Sequence, residues 1–247
     1  LGFGMIGFEV VDSWKQELKR RHKTIWEDCP FFGPWLSKAV ADGRLQTYEY
    51  SNVVMTYRLQ AGAQGLPFIG VRSFGGTDGF LKSGAKLVND PFSGKPVVLL
   101  PALNPDCSII HVHQADVYGN ARVFGTAISH IDCALASKKV ILSAEEIIET
   151  DEIRRDPART AIPHFTVDAV VHAPFGAYPG TVQGRYASDV KHVVECFGGM
   201  MRGDLQPYLE KWVYSVDSHT EMLEKRVGWK NLQGLQRRET IREGYSI

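Results

Sequence analysis

The segment HVHQAD (His111–Asp116) sets two histidines and an acid at the end of an apolar run. Residues i and i+2 of a strand share a face, so His111 and His113 can converge on one ligand. The other reading puts one histidine in the core and one at a surface turn. A metal would need a third ligand at suitable spacing; none follows, so no metal site is expected. His113 stays a candidate substrate contact. A second segment, SFGGTDG (Ser73–Gly79), is a glycine-rich turn directly after the strand-like LPFIGV. Loops at the carboxyl ends of strands are where open α/β sheets bind ligands, and glycine lets backbone N–H groups approach an oxyanion. Ser73, Gly75 and Gly76 are candidates on that ground, against an ordinary flexible turn. No Gly-Lys-Ser/Thr follows, so it is not a Walker loop.

AEEIIETDEIRRDP (Ala144–Pro157) places Glu145 and Glu146 immediately after another strand. Paired carboxylates suit acid/base work, yet the pattern fits better a charged surface turn held by ion pairs. Gly2-x-Gly4-x-x-Gly7 matches the dinucleotide fingerprint, with Glu27 at ribose-acid spacing. That fingerprint needs a preceding strand, and LGFGMIGFEVV itself reads as a strand, so the dinucleotide reading is not adopted. APFGAYPG (Ala173–Gly180) is another shaped loop after a strand. No Gly-x-Ser-x-Gly elbow and no persuasive Ser/His/Asp set is visible. The chain supplies ligand-shaping loops without an obvious nucleophile.

Local signals place the elements that must hold these residues. Residues 11–24 and 34–42 read as helices, the first with a solvated basic face. A third helix is expected from Asn52 to Gln64, with Ser51 as N-cap and Gly65 as stop. From Leu66 the pattern becomes short apolar runs between Gly, Pro, Asn and Asp: LPFIGV, PVVLLP, CSIIHVH, ARVFG, KKVILSA and VDAVVHAP. Runs apolar on both faces read as buried parallel strands. ISHIDCALAS is a credible crossover helix, giving a βαβ unit. Tyr118–Asn120 has hairpin chemistry, so one sheet edge is expected to be antiparallel. Helices follow at about 187–202, 204–214 and 217–227, and the last twenty residues read as a loose basic tail.

With 247 residues the chain can bury a full core, and 28 Lys+Arg balance 28 Asp+Glu. That balance argues against nucleic-acid or membrane-surface binding, which need a positive field. No apolar run approaches a bilayer span. Four scattered cysteines (Cys29, Cys107, Cys133, Cys196) form no C-x-x-C pair, which fits a reducing cytoplasm. The first residue is Leu1, with no leader visible, so the start is expected to be missing.

Several of these stretches together resemble the A (alpha) subunits of family I coenzyme A transferases, of the glutaconate type: AGAQGLPF (61–68), NDPFSGKPVVLLPALNPDCSIIHVHQADVYGNARVFG (89–125), AEEIIETDEIRRDPARTAIPHFTVDAVVHAPFGAYPG (144–180) and LEKWVYSVDSHTEMLEKRVG (209–228). They run in the family's order over most of the chain. The resemblance implies an α/β fold, an open mostly parallel sheet flanked by helices. It further implies one subunit domain over 1–247, helical from about 185 and incomplete at its amino end relative to the family.

The resemblance implies a partner, a B (beta) subunit of similar fold, in an A2B2 or higher assembly. In such transferases the group that attacks the acyl-CoA thioester is a glutamate of the B subunit, so no catalytic nucleophile is expected in this chain. Coenzyme A would be substrate and product, with no permanently bound cofactor. This subunit would wall the site, supply oxyanion donors and select a carboxylic acid, with a dicarboxylic acid as one candidate. Ser51, Asn52 and the 73–79 loop are its candidates, because a helix N-terminus and a glycine turn both present free N–H groups. Relatives on the same scaffold hydrolyse or decarboxylate acyl-CoAs. In the ring-opening hydrolases an acid occupies the place of Asn52, whose amide can donate but not serve as a base. A non-catalytic scaffold or regulatory role is the remaining alternative.

Overall fold

The computed structural model describes residues 23–24, 41–44, 46–125, 129–202 and 204–239. The expected strand at 1–11 and nearly all of the expected helices at 11–24 and 34–42 lie outside these residues, as does Glu27. Lys23–Thr24 (β1) pairs in parallel with Gln46–Thr47 (β2).

Helix α1 (Asn52–Ala63) forms where its cap chemistry places it. Ser51 has an extended backbone, and its hydroxyl accepts from Val54 N–H at 3.4 Å. Two faces of α1 are apolar, and they serve two sheets. Val54 packs with Val98 and Leu100 of a small antiparallel sheet, formed by β3 (Phe68–Val71), β4 (Lys86–Asn89) and β5 (Pro96–Pro101) in the order β3-β5-β4. The short helix α2 (Asp78–Leu81) lies between β3 and β4. Leu59 instead joins Ile110, Val112, Leu142 and Ala144 of the main sheet.

That main sheet runs β7-β6-β8-β9, from β6 (Ser108–Ala115), β7 (Ala121–Arg122), β8 (Val140–Ile147) and β9 (Ala169–His172). β6, β8 and β9 are parallel, and β7 is the antiparallel edge expected from the Tyr118–Asn120 turn. Helix α3 (His130–Ala136) makes the β6-to-β8 crossover, and α4 (Thr150–Arg155) follows β8. The expected open, mostly parallel sheet flanked by helices is therefore present. LPFIGV and PVVLLP are a correction: they pair antiparallel in the separate small sheet. Their outward face carries apolar residues too, Phe68 among them at 50% exposure, so the alternation of a one-sided sheet is masked.

The carboxyl-terminal third is helical: α5 (Val190–Arg202), α6 (Gln206–Leu209) continuing as a π-helix to Tyr214, α7 (His219–Met222) continuing likewise to Val227, and α8 (Trp229–Glu239). The expected loose tail is wrong over 229–239. Leu232 and Leu235 of α8 are 1% and 2% exposed and share a core with Phe175, Val182, Tyr186 and Leu223. Burying each leucine contributes about 1.5–3 kcal/mol, which orders an otherwise polar helix. Among the described residues no helix is long and apolar enough to cross a membrane.

Candidate functional site

The carboxyl ends of β6, β8 and β9 define one edge of the main sheet. α1 points its first turn to this edge, because it runs alongside α3: Thr56 Oγ1 lies 2.9 Å from Ser129 Oγ, just before α3, and Gln60 Nε2 donates to Asp132 Oδ2 one turn on. Gly62 makes the close approach possible, since a methyl there would run into the Leu103 carbonyl oxygen.

On the sheet face opposite α1, the register sets His111 beside Ser143, with Glu145 two residues further along β8. His111 Nδ1 lies 2.8 Å from Ser143 Oγ, and Nε2 lies 2.6 Å from Glu145 Oε1. An ionised carboxylate only accepts, so Nε2–H donates to Glu145. Glu145 also accepts from Tyr186 O–H at 2.8 Å and from Phe175 N–H at 2.9 Å. Burial pushes its carboxyl up, but these donors outweigh burial and hold it below its ordinary value. The Tyr186 phenol is driven far up by burial first and the neighbouring Glu145 charge second.

Serine, histidine and glutamate thus stand in one hydrogen-bonded line that their sequence spacing does not reveal. Ser143 sits mid-strand between β6 and β9, where backbone amides are paired in the ladders. Such a line lacks the free N–H donors that acyl-transfer chemistry at Ser143 would need. Its connections run instead to the Ala173–Gly180 loop. Phe175 has a φ of 57°, Ala177 N–H donates to Tyr186 Oη at 3.1 Å, and the Phe175 and Tyr186 rings lie 4.8 Å apart. A methyl on Gly176 would fall 2.6 Å from His111 Cε1, so this loop lies directly on the histidine.

His113 is bound into the scaffold on the same face. Its Nδ1 accepts from Phe124 N–H at 3.1 Å, so the ring is neutral there and Nε2–H donates to the Gln183 carbonyl at 2.8 Å. Burial lowers its pKa. Glu146 points elsewhere, accepting from Gln114 at 3.0 Å and Arg185 at 2.6 Å. Burial and partners therefore separate the two carboxylates that the sequence sets side by side.

The helix start and the glycine loop do come together. Phe74 stacks on Tyr50 at 5.9 Å, immediately before Ser51 and Asn52. Phe74 has a φ of 78° and Gly76 a φ of 80°, so the loop turns through left-handed backbone. Thr77 then caps α2 by accepting from Phe80 N–H. Gly75 tucks against Val98, where a methyl would meet Cγ2 at 3.1 Å. Ser51, Asn52, Ser73, Gly75 and Gly76 are all exposed. Ser51 covers Val54 N–H and Met55 N–H through its hydroxyl and carbonyl, and the remaining first-turn amides have no acceptor within the helix. The arrangement is a patch of outward N–H donors suited to a carbonyl oxygen or a carboxylate. Among the described residues no group of three or more His, Cys, Asp or Glu side chains could hold a metal ion.

Residues 4–173 match the family described as Coenzyme A transferase. An uncharacterized protein of Archaeoglobus fulgidus is 46% identical over 79% of this chain and 44% of its own length. The A (alpha) chain of glutaconate CoA-transferase from Acidaminococcus fermentans is 34% identical over 74% of this chain and 63% of its own. A crystal structure of glutaconate coenzyme A-transferase from that organism superposes with a TM-score of 0.76, covering 81% of this chain and 68% of that one at 32% identity. A cholesterol ring-cleaving hydrolase IpdA subunit of Rhodococcus jostii is 32% identical over 67% of this chain and 59% of its own. The chain thus spans about half to two thirds of the length of the curated relatives it matches.

Proposed function

The chain belongs to the coenzyme A transferase family, and from that premise we propose that it is the A (alpha) component of a two-subunit enzyme moving CoA between an acyl-CoA and a carboxylic acid. In this reading the thioester carbonyl is attacked by a glutamate of the B subunit. CoA thiolate leaves, and an acyl-glutamyl anhydride forms. The thiolate then attacks the glutamyl carbonyl, releasing the first acid and leaving a glutamyl-CoA thioester. An acceptor acid, a dicarboxylate in the favoured version, runs the sequence backwards.

The observation that carries the reading is the meeting of the α1 start with the 73–79 loop through the Tyr50–Phe74 stack. Ser51, Asn52, Ser73, Gly75 and Gly76 present donors without a nucleophile among them, which suits a wall that steadies a developing oxyanion. His113, with both nitrogens engaged, serves this wall by fixing the turn at Phe124. The pairing with a B subunit, in an A2B2 or larger assembly, is supported by the glutaconate relative, whose name gives it as one subunit of its enzyme. Co-expression with a candidate B chain and an assay of CoA exchange between acyl-CoAs and free acids tests the proposal. Full turnover by this chain alone would defeat it.

The hydrolase relative favours a second reading, acyl-CoA cleavage on the same scaffold. That reading requires acyl-CoA to disappear with no acceptor acid present and no glutamyl-CoA intermediate to be trapped by borohydride. The neutral Asn52 argues for transfer, since an amide cannot activate water as a base.

A further inference from the structure

We propose that Glu145 is a positioning residue, holding the Ala173–Gly180 loop in place at the sheet edge where, on the reading above, acyl-CoA is bound. The carboxylate sits at the centre of three donors from three different parts of the chain: His111 on β6, Phe175 in the loop and Tyr186 beyond it. Its side chain is 7% exposed, so water does not compete freely for these bonds. Phe175 adopts a left-handed backbone at φ 57°, a conformation rare for a non-glycine residue and sustained only when the surroundings over-determine it. Two anchors do so, the Phe175 N–H bond to Glu145 Oε2 and the ring contact with Tyr186.

Tyr186 completes the device. Its hydroxyl donates to Glu145 and accepts from Ala177 N–H, so one phenol links the carboxylate to the far side of the loop. The loop is therefore pinned at 175 and 177, on either side of Gly176, which rests against His111. Gln183, in the same connection, reaches the His113 Nε2–H that steadies Phe124. Displacing the loop would thus disturb the wall on both sides of the edge.

Three substitutions in the full chain, assembled with its partner, test this. Glu145→Ala removes every acceptor. The amides of Phe175 and Ala177 should then lose about tenfold or more in hydrogen-exchange protection, and kcat for CoA transfer should fall about tenfold with KM for acyl-CoA little changed, because a misplaced wall lowers the fraction of productive geometries. Glu145→Gln keeps one oxygen for Phe175 N–H and should retain both protection at 175 and most of kcat. Tyr186→Phe keeps the ring but leaves Ala177 N–H without its acceptor, so protection should fall at 177 and not at 175.

Unchanged protection at 175 and 177 in Glu145→Ala would overturn the proposal. So would loss of that protection with kcat unaltered, or a Glu145→Gln variant with an intact loop and no turnover, which would assign chemistry to the carboxylate itself. If Glu145→Ala does not fold, the other two variants decide by the same criteria. If the wild-type assembly transfers no CoA, the functional reading fails, while exchange at 175 and 177 still decides the role of Glu145 in the loop.

Discussion

His111 Nε2 lies 2.6 Å from Glu145 Oε1 across two parallel strands, with Ser143 bound to the other ring nitrogen. The imidazole bridges a carboxylate and a hydroxyl on the neighbouring strand. Replacing His111 with Ala leaves both without that partner in a mostly covered site, and about 1–3 kcal/mol of stability should be lost, measured by urea unfolding. Ser143→Ala should cost about 1 kcal/mol, and the double variant should cost less than the sum.

Gly62 lies in α1, where the helix meets the Leu103 carbonyl and the Asn104 side chain. Helix propensity favours Gly62→Ala, whereas packing opposes it with backbone that cannot yield. Overpacking is expected to win, with a net loss of about 1–3 kcal/mol and a lowered Tm.

Asn52 at the first turn of α1 separates stability from activity. An acid at a helix N-terminus is favourable by about 0.3–1 kcal/mol, so Asn52→Asp should fold at least as well as the parent. The same negative charge opposes an oxyanion forming nearby, and CoA exchange by the assembled enzyme should fall about a hundredfold. A variant with parental exchange rates would remove Asn52 from the site.

Stability should fall on mild acidification. His113 and His192 are buried at 7% and 5% exposure, and burial lowers both pKa values below the ordinary 6.5. Below about pH 6.5 the unfolded chain binds protons that the folded chain refuses, so their contribution is complete above that pH and is lost as pH falls through the depressed folded values. His192 stacks on Trp212 at 3.8 Å and bonds to the hydroxyls of Tyr178 and Tyr208. Calorimetry between pH 7.5 and 5.5 should show a falling Tm. His192→Gln should start lower and show a shallower slope.

Local chemistry makes much of the architecture legible. The Ser51 cap and the apolar positions of 52–64 announce α1, the Tyr118–Asn120 turn announces the antiparallel edge, and ISHIDCALAS announces the crossover helix. The small sheet does not read as antiparallel, because Phe68 and its neighbours keep the outward face apolar. Helix α8 is hidden by its polar composition, since only Leu232 and Leu235 carry its docking. In the candidate site, the helix start and glycine loop are each visible from local residue types, and the Tyr50–Phe74 stack that joins them is not.

By itself the sequence determined the type of most described elements, the family and the residues with exposed donors, because capping, periodicity and turn chemistry act over a few neighbouring residues. Only the tertiary structure decided that Glu145 and Glu146 have different partners, that His113 is fully engaged, and that His111, Glu145, Phe175 and Tyr186 form one network. Those bonds join residues 30 to 70 positions apart. Their existence depends on strand register and loop path, which arise from packing the whole sheet and leave no local mark.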